Sequence, residues 1–591
     1  MNQQLHIKIL IFLIIANFKT VKAQTFTELT TANLPGLSYS SSAWGDYDND
    51  GDLDVLLSGL QSSGYLMSSI FRNNGDGTFT DINAGLFQVY SSSVAWGDFD
   101  SDGDLDILLT GNRTSGIPVS AIYRNNGDNT FTNINASLTG VWSSSAAWGD
   151  FDNDGDLDVL ITGNSASGSS QVRISEIYRN NGDASFTNIN AGLPGVMVST
   201  VAWGDYDNDG DLDILLIGAT GYGTQISEIY RNNGDATFTT ISAGLTGVQY
   251  GSAAWGDYDN DGDLDVLLTG SIWASSASKI FRNNGNDTFT DINASLDLAW
   301  ESSAAWGDYD NDGYLDVLLA GHHSIYFSKI YKNNGNATFT DISAGLPPIF
   351  LGSVAWADFD NDGDLDVLLT GKGFNELRTR IFVNNNTQSN SLPSAPSNLS
   401  AIVDGNEVTL SWDPSTDAET PSSGLSYNVS IKEIPANSSV YLKSPMASEI
   451  NGWRKLPALG NAMQNTSYKY KVPASLVNSN FTFEVQAIDS GFVGSVFSEE
   501  GSFATLGIET IDEGRGVKIY PNPVSNNLII DTLLSGNLQL QVFNQLGQIV
   551  LKQNQNTSST SLDVSNLPKG FYFLNIHFEN NNSQTIKFIK N

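Results

Sequence analysis

Read for its apolar and polar positions, the chain repeats itself. A strand of small residues ends in Ala-Trp (SSAAWGD, 302–308), a burst of acids around one glycine follows, and an apolar strand comes next (LDVLLTG, 264–270). After a variable loop, two further strands are separated by Asn-Gly (SEIYRNNG, 175–182; TFTDI, 288–292). Seven such units recur every 50–55 residues between about residues 25 and 386. Four strands to a unit is the pattern of a blade, and the expected fold is all-β: a seven-bladed β-propeller with metal-binding loops, followed by two small β-sandwich domains. The Asn-Gly pairs, such as Asn74-Gly75 and Asn126-Gly127, predict tight hairpins in which both turn residues take positive φ. The seventh unit stops at IFVNNNTQSN (381–390) without a last strand, whereas TFTELTTANL (25–34) near the N-terminus matches TFTDINAGL of the first unit (78–86). The N-terminal strand is therefore expected to complete the last blade and remove a bare sheet edge.

The acidic bursts put carboxylates at alternate positions. The residues are Asp46, Asp48, Asp50, Asp52 and Asp54; Asp98, Asp100, Asp102, Asp104 and Asp106; Asp150, Asp152, Asp154, Asp156 and Asp158; Asp205, Asp207, Asp209, Asp211 and Asp213. The later repeats supply Asp257, Asp259, Asp261, Asp263 and Asp265; Asp308, Asp310, Asp312, Tyr314 and Asp316; and Asp358, Asp360, Asp362, Asp364 and Asp366. Four carboxylates held about 4 Å apart repel by roughly 1 kcal/mol per pair even in water. A hard divalent cation relieves that repulsion, and Ca²⁺ accepts six to eight oxygen ligands in a flexible geometry. Up to seven Ca²⁺ ions are expected. The loops are not EF-hands, since no Glu follows at position twelve and the next segment reads as a strand.

Alternating strand direction puts the acidic loops and the Asn-Gly turns on one face and the loops between second and third strands on the other. Five or six residues ahead of each Trp stand Tyr39, Tyr90, Trp142, Met197, Tyr250, Trp300 and Phe350. They are expected either to ring the channel mouth on the face away from the acids or to cap the wedges between blades. With Ser143 to Ser145, Ser302 and Ser303 beside it, such a ring suits sugar faces or an aromatic-rich protein interface.

Composition sharpens this picture. The loops hold 34 of the 65 acidic residues behind the net charge of −37, which argues against nucleic acid and anionic membrane surfaces as partners. Lys8 and the apolar run 9–16 mark residues 1–23 as a signal peptide, too short to span a membrane, so no membrane insertion is expected. With no cysteine, an exported chain has to rely on packing, sheet pairing and metal. The expected layout is 24–386 for the array, a linker at 387–395, a sandwich at 396–506, a linker at 507–515 and a terminal sandwich at 516–591.

The D-x-D-x-D-G-x-x-D loop between the first two strands of a repeated blade resembles the FG-GAP or VCBS repeat of integrin alpha-subunit propellers and bacterial surface proteins. That resemblance implies Ca²⁺ bound by the side chains at loop positions one, three, five and nine and by the carbonyl at seven, a ligand that survives Tyr314. The segments SNLSAIVDGNEVTLSWDP (397–414), GLSYNVSIKEI (424–434) and FTFEVQAID (481–489) are similar to a fibronectin type III domain. Trp412 stands in the place of its core tryptophan and Phe481 where a tyrosine is usual, and the domain reads as a spacer. Tyr520-Pro521-Asn522-Pro523, the turn at Gly547, Lys569-Gly570-Phe571-Tyr572 and Lys587-Phe588-Ile589-Lys590 resemble the type A C-terminal sorting domain of the type IX secretion system. It implies contact with the type IX machinery, passage across the outer membrane, removal of the domain, and attachment at the cell surface or release.

No catalytic constellation is visible. His322 and His323 are adjacent in a variable loop, and Arg113, Arg173 and Arg378 are scattered. The function expected is a secreted or surface-exposed calcium-binding module for adhesion to a glycan or an extracellular protein. The alternative is a glycan-active, lyase-like enzyme on the same scaffold.

Overall fold

The computed structural model describes residues 26–166, 171–273, 275–434, 441–473, 476, 479–505, 517–532, 538–544, 547–555, 559–578 and 583–590. The expected signal peptide lies outside the described residues. The chain divides into two compact units, Met1–Thr505 and Leu506–Asn591, and each is taken by itself. Among the described residues every regular element is a β-strand.

The first repeat consists of strands Leu37–Gly45, Asp54–Gln61, Leu66–Asn73 and Phe79–Asp81, each paired antiparallel with the next. Five later repeats form separate four-stranded sheets of the same order. The seventh has three strands of its own, Phe350–Ala357, Asp366–Lys372 and Leu377–Asn384. Its fourth place is taken by Phe26–Glu28, with Phe26 opposite Asn384 and Glu28 opposite Phe382, as the sequence match implied. Hydrogen bonding also joins this sheet to the first repeat through the single pair Leu37 and Arg378. Single bridges of the same kind link other neighbours, Val119 with Val141, Ile174 with Val196, Ala277 with Ala299 and Phe327 with Ile349, but the sheets are not closed into a continuous ladder. Side chains join them more extensively. The first strand of each repeat packs against that of the next, and the first strand of the seventh packs against that of the first.

Two interactions recur at these joints. The aromatic residue at loop position two stacks on the Trp of the following repeat: Tyr47 on Trp96 at 6.3 Å, Phe99 on Trp148 at 6.2 Å, and, across the join of last to first, Phe359 on Trp44 at 6.1 Å. A phenylalanine of the fourth strand, such as Phe131, tilts against both rings and completes an apolar wedge. The second interaction is polar. The buried Asn ending each third strand donates its Nδ2 to the main-chain oxygen of the preceding repeat's position-two aromatic, as Asn125 does to Tyr47, Asn180 to Phe99 and Asn333 to Tyr258, all at 2.8 Å, and Asn73 to Phe359 at 3.0 Å.

The turn after that Asn differs from the expected hairpin. The Asn74 N–H reaches the Thr78 oxygen at 3.0 Å, and the positive φ angles fall on Gly75 (71°) and Gly77 (76°) rather than on Asn74. Three residues form the loop, because the Asn74 side chain bonds Thr78 and Thr80 across it and holds its own backbone in the strand.

The remainder of the first unit is a sandwich of two three-stranded sheets: Ser397–Asp404, Glu407–Asp413 and Ser467–Lys471 face Ser426–Ile434, Asn480–Ile488 and Gly501–Ala504. Trp412, Tyr427, Phe481 and Phe483 are buried in its core. The second unit is likewise two sheets, closed over Leu540, Leu574, Ile576 and Phe588.

Removing residues 26–34 strips Leu34 and Ala32 from the core of the first repeat and bares the edge of Leu377–Asn384. The loss of roughly 3 kcal/mol that Leu34 alone can carry predicts a lower melting temperature, and the bare edge predicts association of chains. Calorimetry and light scattering check both. A monomeric deletion variant that melts like the parent overturns the assignment of that strand.

Candidate functional site

Each acidic loop is a tight coil set by two left-handed residues, at position four Asn in six loops and Ser101 in the second, and Gly at position six, with φ of 58° at Asn260 and 93° at Gly262 in the fifth. Gly takes that conformation without penalty and Asn with little, which explains their place among the acids. Position one holds the coil: both Asp257 oxygens accept backbone N–H groups, from Asp261 at 3.1 Å and Gly262 at 2.9 Å. Position nine ties coil to sheet. Asp265 accepts the N–H of Tyr258 at 3.1 Å and of Asn283 at 2.7 Å, and the equivalents in all seven repeats are fully buried.

Position three is different. One oxygen of Asp48, Asp100, Asp152, Asp207, Asp259 and Asp310 is buried without a hydrogen-bond partner. Carboxylate oxygens of at least three residues per group, drawn from positions one, three, five and nine, lie within 4.8 Å of one another in these loops. Burial pushes the carboxyls up, Asp54 and Asp213 to about 9, Asp98, Asp205, Asp257 and Asp358 to about 7, and Asp46 to about 6. Buried acids with an orphaned oxygen, present in six of the seven loops, are a donor set suited to a hard cation. In the sixth loop the fit is poorer: Lys332 Nζ bonds Asp310 and, at 2.5 Å, Asp312.

Position seven has a second task. Its side chain receives the position-four Asn of the preceding loop: Asn49 on Asp104 at 2.7 Å, Asn153 on Asp211 at 2.8 Å, Asn208 on Asp263 at 2.9 Å, Asn311 on Asp364 at 2.8 Å and Asn361 on Asp52 at 3.1 Å. Asn260 reaches the Gly313 oxygen instead, at 2.9 Å, since Tyr314 offers no carboxylate.

The sandwich after the repeats is not a spacer. It lies on the acidic loops. Lys443, almost fully buried, places Nζ 2.6 Å from Asp150, which also accepts the Tyr468 hydroxyl at 3.0 Å. Asn465 donates to Asp205 at 2.6 Å and Ser490 to Asp308 at 2.8 Å, while Lys455 reaches the Gly103 oxygen and Ser423 the Asn260 oxygen. Residues 387–395 take part too, Asn311 donating to the Gln388 oxygen at 2.9 Å. No sequence signal announced these contacts, because each is a single polar residue in an ordinary strand or loop.

On the opposite face every repeat has a positive φ five residues before its Trp, at Tyr39, Ser91, Ser143, Val198, Tyr250, Glu301 and Leu351. In six of the repeats the ladder shifts register there. This bulge separates the expected ring into two classes. Tyr39 and Tyr250 sit at the bulge and are 43% and 42% exposed, whereas Phe350 and Met197, one residue earlier, are 8% and 9% exposed. Tyr90, Trp142 and Trp300 are half-buried at that earlier position. Burial raises the Tyr250 phenol, with Glu301 and Tyr39 adding to the effect. The serines are committed elsewhere: Ser145 accepts the Val201 N–H and Ser303 the Val354 N–H, both at 3.1 Å, joining neighbouring repeats. His322 packs between Trp300 and Tyr326 while His323 turns to Ser276, so the pair does not converge. Arg113 lies over Phe87, Arg173 bonds Gln171 and Arg378 pairs with Glu376, each in a different repeat.

Family models for the FG-GAP-like repeat match residues 46–109, 110–161, 165–216, 215–268, 271–319 and 308–369, more than half of the chain. The chain belongs to the FG-GAP-like repeat family. The FG-GAP-like protein also carries a secretion system C-terminal sorting domain, matched over residues 518–591, and this domain marks it for type IX secretion to the cell surface or extracellular space. It is 32% identical over 157 residues to cartilage acidic protein 1 of Xenopus tropicalis, which covers 25% of this chain and 24% of that protein. The matched stretch thus spans about a quarter of that relative. Among solved structures, the chicken interferon gamma receptor alpha chain shares 14% identity with a TM-score of 0.14, covering 34% of this chain and 99% of that one.

Two outcomes are expected of the FG-GAP-like protein. Lys443→Met leaves Asp150 buried and unpaired and should destabilise by about 3–5 kcal/mol, with much of the loss recovered when Asp150→Asn is added; denaturant melts of both variants measure this. The second concerns pH. The raised carboxyls bind protons in the folded metal-free protein at pH values where the unfolded chain has already lost them, so stability falls as pH rises from about 4 through the folded values of 6 to 9. In chelator, the melting temperature should drop between pH 5 and pH 8. A flat or rising profile overturns the assignment.

Proposed function

We propose that residues 24–386 form a closed, seven-bladed propeller whose acidic loops hold calcium. A fibronectin type III-like sandwich, 396–506, caps the loop face, and the exported protein binds a glycan or an extracellular protein through the face opposite. The observation that carries the reading is the position of the sandwich. With six of the seven acidic loops in contact with the sandwich, the other face is left for a partner, and it displays Tyr39 and Tyr250 beside the half-buried Tyr90, Trp142 and Trp300. Support for closure comes from the stacking and Asn contacts that run from the seventh repeat back to the first. Support for calcium comes from the orphaned oxygens at position three. Asp48, Asp100, Asp152, Asp207, Asp259 and Asp360, with the acids at positions one, five and nine, would hold the ions. Bound calcium would supply the charge that burial removes. The protein's own residues do the rest: they fix the coils, link them in a ring and bring the sandwich onto them.

The test is retention of the calcium-loaded mature protein on immobilised polysaccharides and surface proteins, with product formation followed in parallel. Tyr39→Asn and Tyr250→Asn suit the positive φ of those positions and remove the exposed rings. Weakened retention with an unchanged melting temperature is expected of both. Full retention in both variants places the partner elsewhere.

A further inference from the structure

One sector of the face opposite the acidic loops departs from the rest. Trp300 is paired with His322 and His322 with Tyr326, their rings 5.1 and 4.9 Å apart. Tyr326 stacks on the buried Phe350 at 4.1 Å and lies 4.9 Å from Phe374, which is 62% exposed. Five rings from the sixth and seventh repeats thus run in unbroken contact. Other ring contacts on this face, Tyr39 with Tyr90, Phe87 with Tyr123 and Tyr222 with Trp273, stop at two. Lys372 holds Nζ 5.5 Å over Phe350, within electrostatic reach of Glu301, and Arg378 is bound to Glu376 at 2.7 Å.

We infer that this sector is a subsite for an uncharged glycan chain. The inference rests on the binding face proposed above and names its ligand class and place. A ring with one face open to solvent accepts the C–H face of a pyranose, and the adjoining His322 imidazole, carboxylates and ammonium offer both donors and acceptors to its hydroxyls. Charge selects among glycans. Arg378 is neutralised by Glu376 and Lys372 stands in a chain of net charge −37, so a uronate polymer would find little positive charge to draw it here. A protein interface would need charge-depleted apolar surface around its anchors, and here charged groups flank the rings directly.

Affinity electrophoresis in calcium, with a β-glucan, a mannan, a xylan and the uronate polymer alginate as probes, tests the proposal on the full mature chain. Phe374→Ala changes an exposed side chain and should weaken retention on the preferred neutral polymer roughly tenfold, at an unchanged melting temperature. Ile450→Ala, on the sandwich and 95% exposed, should bind as wild type. Retention of wild type on alginate alone overturns the neutral assignment. Wild-type binding by Phe374→Ala, together with a loss in Tyr39→Asn, overturns this sector while leaving the binding face in place. No retention of wild type on any of the neutral polymers counts against the inference and against glycan binding itself.

Discussion

In the first six repeats the asparagine that ends the third strand answers three demands at once. The Asn283 main-chain N–H satisfies a buried carboxylate oxygen of Asp265, its Oδ1 accepts the Gly285 N–H in the turn that follows, and its Nδ2 crosses to the Tyr206 oxygen of the neighbouring repeat. A buried amide must satisfy both of its ends, and this one does so only when loop, turn and neighbouring sheet are in place together. The acidic coil, the Asn-Gly turn and the wedge of aromatic rings are thereby held by a shared residue. With that residue fixed, the position-two aromatic is held where it stacks on the next Trp, and the spacing of the sheets follows.

Much of this was legible in the sequence because it recurs. The strand order, the acidic coil and the N-terminal supplement to the seventh repeat are properties of a period, and a period shows itself without knowledge of contacts. The glycine among the acids was legible too, as the place where the coil turns left-handed. What repetition conceals is the division of labour inside a motif. Asp46 to Asp54 look alike on paper, yet position one clasps its own backbone, position three keeps an unpartnered oxygen, and position seven reaches for the adjacent loop.

Contacts made by unrepeated residues were out of reach. Lys443, Asn465 and Ser490 come from the sandwich at irregular intervals, and only the three-dimensional arrangement brings each to the first aspartate of a different loop. The face opposite divides for a related reason. Counting back from Trp gives five residues in some repeats and six in others, and the one-residue bulge turns that small difference into the difference between an exposed Tyr39 and a buried Phe350.

The strand Phe26–Glu28 has a temporal consequence. Thr27 and its partner Asn385 stand 358 residues apart, so the segment synthesised among the first is among the last to find its place. Until then it travels as an unpaired ribbon beside a growing set of sheets, any of which presents an edge of similar sequence. Closure entropy rises only slowly with the length of the intervening chain, so the equilibrium suffers little, while the wait exposes the ribbon to the wrong edge or to another molecule's seventh repeat. The order in which the chain emerges thus bears on its fate as much as the strength of any joint.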